Sequence, residues 1–395
     1  MIKKIIIISS TVTLLSAQSA DDFAREQMQG FQKENSKFDT FKKETNREFE
    51  NYKKAQEKAI LDYKKEVGAY WDDPKLSDKK NWVSYTLDKK IRTSVDFEHE
   101  KITIEVISSN PNEARQKLRQ ALARVVTIDT KKVQESDPLE QKLQKIAKPD
   151  GIVDAPTKAE PILSGIMLGK SPTQNSLKEF VDKNTDDLDI SSKESSKIRN
   201  DKIYTLSVKM PDNATLERSK IFYSDVKEHS LKQQIPISLI YAVIHTESCF
   251  NPYARSFIPA YGLMQIVPSS AGLDTYQFLY SEKKLMSDEY LYNSTNNITI
   301  GSAYLHILYY KYLKEIKDPQ SRLYCTVAAY NTGGGNVAWA FVKSNDMKKA
   351  ALIINSMTAD DVYNKLLSDL KYEEPKNYLK NVLSRITIYE KIYSE

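Results

Sequence analysis

Residues 236–268 read PISLIYAVIHTESCFNPYARSFIPAYGLMQIVP. The first half predicts a buried helix over 236–250. Ile240, Val243, Ile244 and Glu247 recur at spacings of three, one and three, which puts them on one helical face. Pro236 suits a first turn, where its missing N–H costs no intrahelical bond. Asn251-Pro252 then stops the helix. A carboxylate at the end of an apolar stripe loses hydration, and its pKa rises. A carboxyl that stays neutral near pH 7 can serve as a general acid. From these residues alone, Glu247 is either such an acid or a glutamate paired with a neighbouring cation.

The second half adds Gly262-Leu263-Met264-Gln265 after a short polar turn. Glu-Ser-x-Phe-Asn-Pro-x-Ala followed by Gly-Leu-Met-Gln resembles the core of the lytic murein transglycosylases with a goose-lysozyme-like fold. Ala329-Tyr330-Asn331-Thr332-Gly333 resembles that family's Ala-Tyr-Asn-x-Gly motif, and Tyr378 in Lys-Asn-Tyr-Leu-Lys its C-terminal tyrosine motif. The N-terminal half resembles that of the membrane-bound lytic murein transglycosylase C family. The resemblance implies a mainly α chain: an N-terminal α+β domain, built of a long helix plus a short antiparallel meander, then an all-α lysozyme-like catalytic domain. The expected division is a signal peptide at 1–20, the α+β domain with an irregular linker at 21–200, and the catalytic domain at 201–395.

The resemblance also assigns roles. Glu247 is the expected catalytic residue, acting as acid and then as base. The implied reaction cleaves peptidoglycan glycan strands, with the substrate's own C6 hydroxyl as nucleophile and a 1,6-anhydromuramoyl end as product. Ser248 is expected to contact substrate or support Glu247. Met264, Gln265, Tyr330, Asn331 and Tyr378 are the other expected substrate-binding residues. Each has a plainer reading. Ser248 can satisfy a backbone carbonyl, Met264 and the tyrosines can be core, and Asn331 can belong to a helix cap. Ordinary glycosidases use two carboxylates; Asp274 and Asp288 lie in the intervening loop, but nothing marks either as a partner. A water-using muramidase and a non-catalytic glycan-binding scaffold are the competing functions.

Composition excludes other classes. The chain has 58 basic and 53 acidic residues in 395, so the net charge of +5 gives no reason to expect nucleic acid. Two cysteines, four scattered histidines and no His-x-x-x-His pair support no metal site. His245, two residues before Glu247, points away from it and reads as structural. Gly333-Gly334-Gly335 lacks the Lys-Ser/Thr of a phosphate loop. No cofactor is expected.

The start, MIKKIIIISSTVTLLSAQSADDF, has the form of a secretory signal, cut between Ala17 and Ala20 or kept as an anchor. Relatives of the transglycosylase C type are usually lipoproteins with a cysteine just after the signal. The first cysteine here is Cys249, so the expectation is export to the periplasm or cell envelope without that lipid. In the family the helices bearing Cys249 and Cys325 lie side by side, so the pair either forms a disulfide or stays as two buried free thiols.

Over 23–67 the chain reads as one charged helix. Phe38, Phe49, Ile60 and Trp71 stand eleven residues apart, as do Phe41, Tyr52 and Tyr63, so the aromatic seam keeps to one side. It packs on its own domain or meets an envelope partner. Strands are expected over 82–87, 91–97 and 101–107, a helix over 111–126, a further strand over 162–168 and a strand or extended entry at 203–208. Residues 128–200 carry prolines at 138, 149, 156, 161 and 172 and give little periodicity. All four catalytic motifs lie beyond Ile203, so a chain beginning there is expected to fold and cleave.

Overall fold

The computed structural model describes residues 47–393, apart from 170, 186–189 and 257–258. The expected signal segment, and the stretch before residue 47 over which a long helix was expected, lie outside the described residues. The chain forms two compact units, Met1–Lys54 and Ala55–Glu395. In the first, the described residues 47–54 are helical.

The second unit opens with helix through residue 68. Its aromatic seam packs inward. Tyr63, Val67 and Trp71 form a small core with Tyr85, Ile107, Leu139 and Ile203. Trp71 donates its indole N–H to the Lys89 carbonyl at 2.8 Å, and the Arg92 guanidinium stacks on its ring at 4.4 Å. This stretch of the seam is therefore used within its own unit.

The sheet has β1 (Asn81–Tyr85), β2 (Ile91–Asp96), β3 (Lys101–Ser108), β4 (Ser191–Glu194) and β5 (Lys202–Lys209), all antiparallel, in the order β1-β2-β3-β5-β4. Both faces are covered. Val95, Ile102, Ile104, Leu206 and Val208 enter the main core, while Ile107 and Ile203 enter the small one. On the second face, Arg92 sits directly across from Glu105 and donates Nε to it at 2.6 Å. The helix Pro111–Thr127 starts at Asn110, whose side chain accepts from the N–H groups of Asn112 and Glu113, and buries Ala114, Leu118 and Leu122.

Two expectations change here. Residues 162–168 hold a short helix, Ser164–Met167, where a strand was expected. The boundary at 200/201 would cut the sheet, because β5 beyond it lies between β3 and β4. Strand order depends on long-range pairing, which no local pattern at 203–208 reports. The low-signal region holds helices Thr130–Ser136, Pro138–Leu143 and Gln174–Thr185 and strand β4.

From Ala214 onward the chain is helical, in the expected mainly α class. Helix Ile237–Ser248 is buried almost all round, as its apolar run requires. It packs on helices Tyr223–Gln233 and Glu373–Ile392. Arg218, on helix Ala214–Ile221, joins this part to the sheet. It is 1 % exposed and donates to the Phe97 carbonyl at 2.9 Å and the Cys249 carbonyl at 3.2 Å. The main core is continuous across the two halves.

Candidate active site

Helix Ile237–Ser248 ends one residue after Glu247. Cys249 and Phe250 then both take left-handed backbone, with φ of 49° and 62°. Neither is glycine, so the turn is strained, as turns at functional sites often are. It leaves Glu247 at the helix end, 5 % exposed. Burial, the largest influence, raises its pKa above the ordinary carboxylate value; the ammonium of Lys79 and the hydroxyl of Tyr378 pull it back. Lys79 Nζ lies 3.5 Å from Glu247 Oε2 and 3.8 Å from Glu374 Oε1.

The Gly-Leu-Met-Gln loop is held beside this helix by three ties. The Ser248 hydroxyl donates to the Ile244 carbonyl at 3.1 Å and the Leu263 carbonyl at 2.8 Å. Asn297 accepts from Met264 N at 2.8 Å, and its Nδ2 donates to the Tyr261 and Leu291 carbonyls at 2.8 Å each. The Tyr330 hydroxyl donates to the Met264 carbonyl at 2.8 Å. Gly262, at φ 73°, has no room for a side chain, since a Cβ would strike Asn297 and the Leu291 carbonyl.

Two expected substrate contacts, Ser248 and Met264, are corrected by this geometry. Ser248 is fully buried, with its hydroxyl committed to carbonyls; it supports the acid's helix and does not face a glycan. Met264 is fully buried against Gly301, where a Cβ would collide with its sulfur, so its side chain is core. Gln265 is also buried, at φ 49°, and its amide donates to the Gly262 carbonyl at 2.9 Å and the Ala254 carbonyl at 3.1 Å. Its Oε1 is buried without a hydrogen-bond partner.

Tyr330 and Asn331 are partly exposed at the end of helix Pro319–Thr332. Burial, and next the Glu247 charge, raise the Tyr330 pKa. Tyr378, on helix Glu373–Ile392, is buried with its hydroxyl toward the Glu247 carboxyl and forms no hydrogen bond of good geometry there. Asp288 is buried in ion pairs of Arg255, at 3.4 Å, and Asp274 accepts from the Tyr312 hydroxyl at 2.9 Å. Both are engaged elsewhere. His245 Nδ1 meets the Tyr389 hydroxyl at 3.0 Å, and burial lowers its pKa to about 3. Cys249 and Cys325 are buried free thiols, the second of the two states left open by the sequence. A cavity of about 250 Å³ between β1, β2 and helix Pro111–Thr127 is lined by none of the motif residues.

Sequence reasoning missed Lys79, Glu374 and Asn297. Lys79 lies in the polar stretch Ser77-Asp78-Lys79-Lys80-Asn81, with no local signal that one of these lysines meets a carboxylate in the other half.

Comparison with known proteins bears on the same halves. Residues 224–353 match the transglycosylase SLT domain, and residues 42–145 match the N-terminal domain of membrane-bound lytic murein transglycosylase C. The membrane-bound lytic murein transglycosylase C of Klebsiella pneumoniae is 32% identical, over 79% of this chain and 82% of the relative. The chain belongs to the membrane-bound lytic murein transglycosylase C family. The protein of that name from Photorhabdus laumondii is likewise 32% identical, over 78% of this chain and 82% of its own length. A solved structure, the 70 kDa soluble lytic transglycosylase of Escherichia coli, is similar at 24% identity over 44% of this chain and 25% of that one, with a TM-score of 0.34, too loose a likeness to bear on fold or function. As a member of the family the chain is a lytic transglycosylase. Glu247 and Tyr330 fall in the SLT match, and Lys79 in the N-terminal one.

Proposed function

We propose that this enzyme breaks the β-1,4 bond between N-acetylmuramic acid and N-acetylglucosamine in peptidoglycan, with Glu247 working alone as acid and then base. The neutral carboxyl gives its proton to the glycosidic oxygen as the bond to C1 of the muramoyl residue breaks. The resulting carboxylate takes the proton from the C6 hydroxyl of the same residue as O6 bonds to C1. A 1,6-anhydromuramoyl end results, and no water is consumed. An internal hydroxyl is already held near the reacting carbon, so no second carboxylate is needed to activate water.

The observation that carries this reading is the Glu247 carboxyl, buried at the end of an apolar helix and held neutral to higher pH by that burial. Asn331 and the exposed part of Tyr330, at the end of helix Pro319–Thr332, are the motif groups that meet the sugar in this reading. Tyr378, beside the carboxyl, steadies the charged form after proton donation. The substrate sets the location, which is the cell envelope; no described helix is long and apolar enough to cross a membrane.

The test is Glu247→Gln on purified sacculi. The amide keeps shape and hydrogen bonding but has no proton to transfer. Loss of general acid catalysis costs about 10²–10⁴-fold, while the variant still sediments with sacculi. Undiminished release by Glu247→Gln would move the acid elsewhere.

A further inference from the structure

We infer that Lys79, carried by the N-terminal half, is the counter-ion against which Glu247 gives up and regains its proton, so that the N-terminal domain forms part of the catalytic centre. This rests on Glu247 being the acid–base group. Lys79 is then a positioning residue, acting on the reaction through Glu247.

Several elements pack toward the Glu247 carboxyl. The loop before β1 brings Lys79, helix Glu373–Ile392 brings Glu374 and Tyr378, and helix Pro319–Thr332 brings Tyr330. Lys79 is the cation that faces it in an ion pair, at 3.5 Å. The loop holds this lysine in place. Asp78 accepts from the N–H groups of Lys80 and Asn81 at 2.8 and 2.7 Å, and its own N–H donates to the Asn81 carbonyl at 2.8 Å. Lys80, the neighbouring residue, turns to Glu98 instead.

An ammonium gains little from a neutral carboxylic acid and much from a carboxylate. Its effect is therefore felt as negative charge develops on Glu247 during proton transfer, where a fixed opposite charge lowers the barrier. Burial works the other way and keeps the resting acid neutral. Glu374, far more exposed and 3.8 Å away, gives the ammonium a second partner while Glu247 is neutral. The two influences on Glu247 thus come from different halves of the chain: burial from its helix and the Gly-Leu-Met-Gln loop, and the cation from the sheet domain.

The experiment is the pH–rate profile of the full chain on labelled sacculi for the wild type, Lys79→Met, Lys79→Gln, Lys79→Arg and Glu247→Gln, each checked by its thermal melt. Activity falls on the alkaline side as Glu247 loses its proton. Without the ammonium, that limb moves to higher pH by about one unit, since an opposite charge this close lowers a carboxyl pKa by roughly 1–3 units. The rate below the limb drops by about tenfold or more, KM changes little, and Lys79→Arg restores the wild-type limb. A limb that stays put in both Lys79→Met and Lys79→Gln overturns the inference, even if the rate falls, because a merely structural lysine would do that. Full activity in Glu247→Gln overturns the underlying acid assignment instead, so the two failures are distinguishable.

Discussion

The Ser248 hydroxyl donates to the Leu263 carbonyl at 2.8 Å, and this bond joins the helix of the acid to the loop of the second motif. Ser248→Ala removes it and leaves a buried carbonyl unpaired. The cost is about 1–3 kcal/mol, read as a lower midpoint in urea denaturation. Because the hydroxyl faces protein, KM for glycan should stay within about twofold of wild type. A large rise in KM at unchanged stability would return Ser248 to the substrate.

Glu247 lowers the stability of its own fold near neutral pH. Burial raises its pKa in the folded chain above the ordinary carboxyl value that the unfolded chain keeps. Below that value both folded and unfolded chains hold the proton, and the fold keeps its full stability. As pH rises through it, the unfolded chain releases the proton first and stability falls, until the folded-state value is passed. Glu247→Gln has no proton to lose. The variant should melt higher than wild type at pH 8, by roughly 2 °C per kcal/mol recovered, and the advantage should shrink toward pH 4. A pH-independent difference in melting temperature would contradict the burial argument.

A chain starting at Ile203 should not fold, contrary to the expectation from motif positions. β5 would lose β3 and β4, its neighbours on both sides, and Arg218 would lose the Phe97 carbonyl. Such a chain should give no cooperative melt. In the full chain, Arg218→Met leaves the Phe97 and Cys249 carbonyls unpaired inside the core, at about 2–4 kcal/mol. A soluble, cooperatively melting and active fragment would show that the sheet is dispensable.

Glu247 was legible because a carboxylate in an apolar helical run breaks a local pattern. The β1–β3 meander was legible from alternation and short turns. What escaped depended on distant chain. Ile203 lies in a strand by its own pattern, but which sheet it joins is decided by residues about a hundred positions earlier. Whether Met264 lines a groove or fills the core is decided by Gly301, whose missing side chain makes room for its sulfur. Lys79 is one lysine among several in a polar loop, and the tertiary fold alone brings it to Glu247. Ser248 sits in a motif position, yet its hydroxyl is spent on backbone carbonyls, a choice that residue type cannot report.

Centrally, the C6 hydroxyl, and not water, attacks the muramoyl C1 while Glu247 gives and takes back the proton. The most direct measurement is the mass of muropeptides released from purified sacculi by the full-length enzyme, set beside those released by a hydrolytic lysozyme. The account predicts non-reducing 1,6-anhydro products lighter by one water, about 18 Da, for the same disaccharide peptides, because the internal hydroxyl has displaced the leaving sugar. Reducing products of full hydrolytic mass would contradict it.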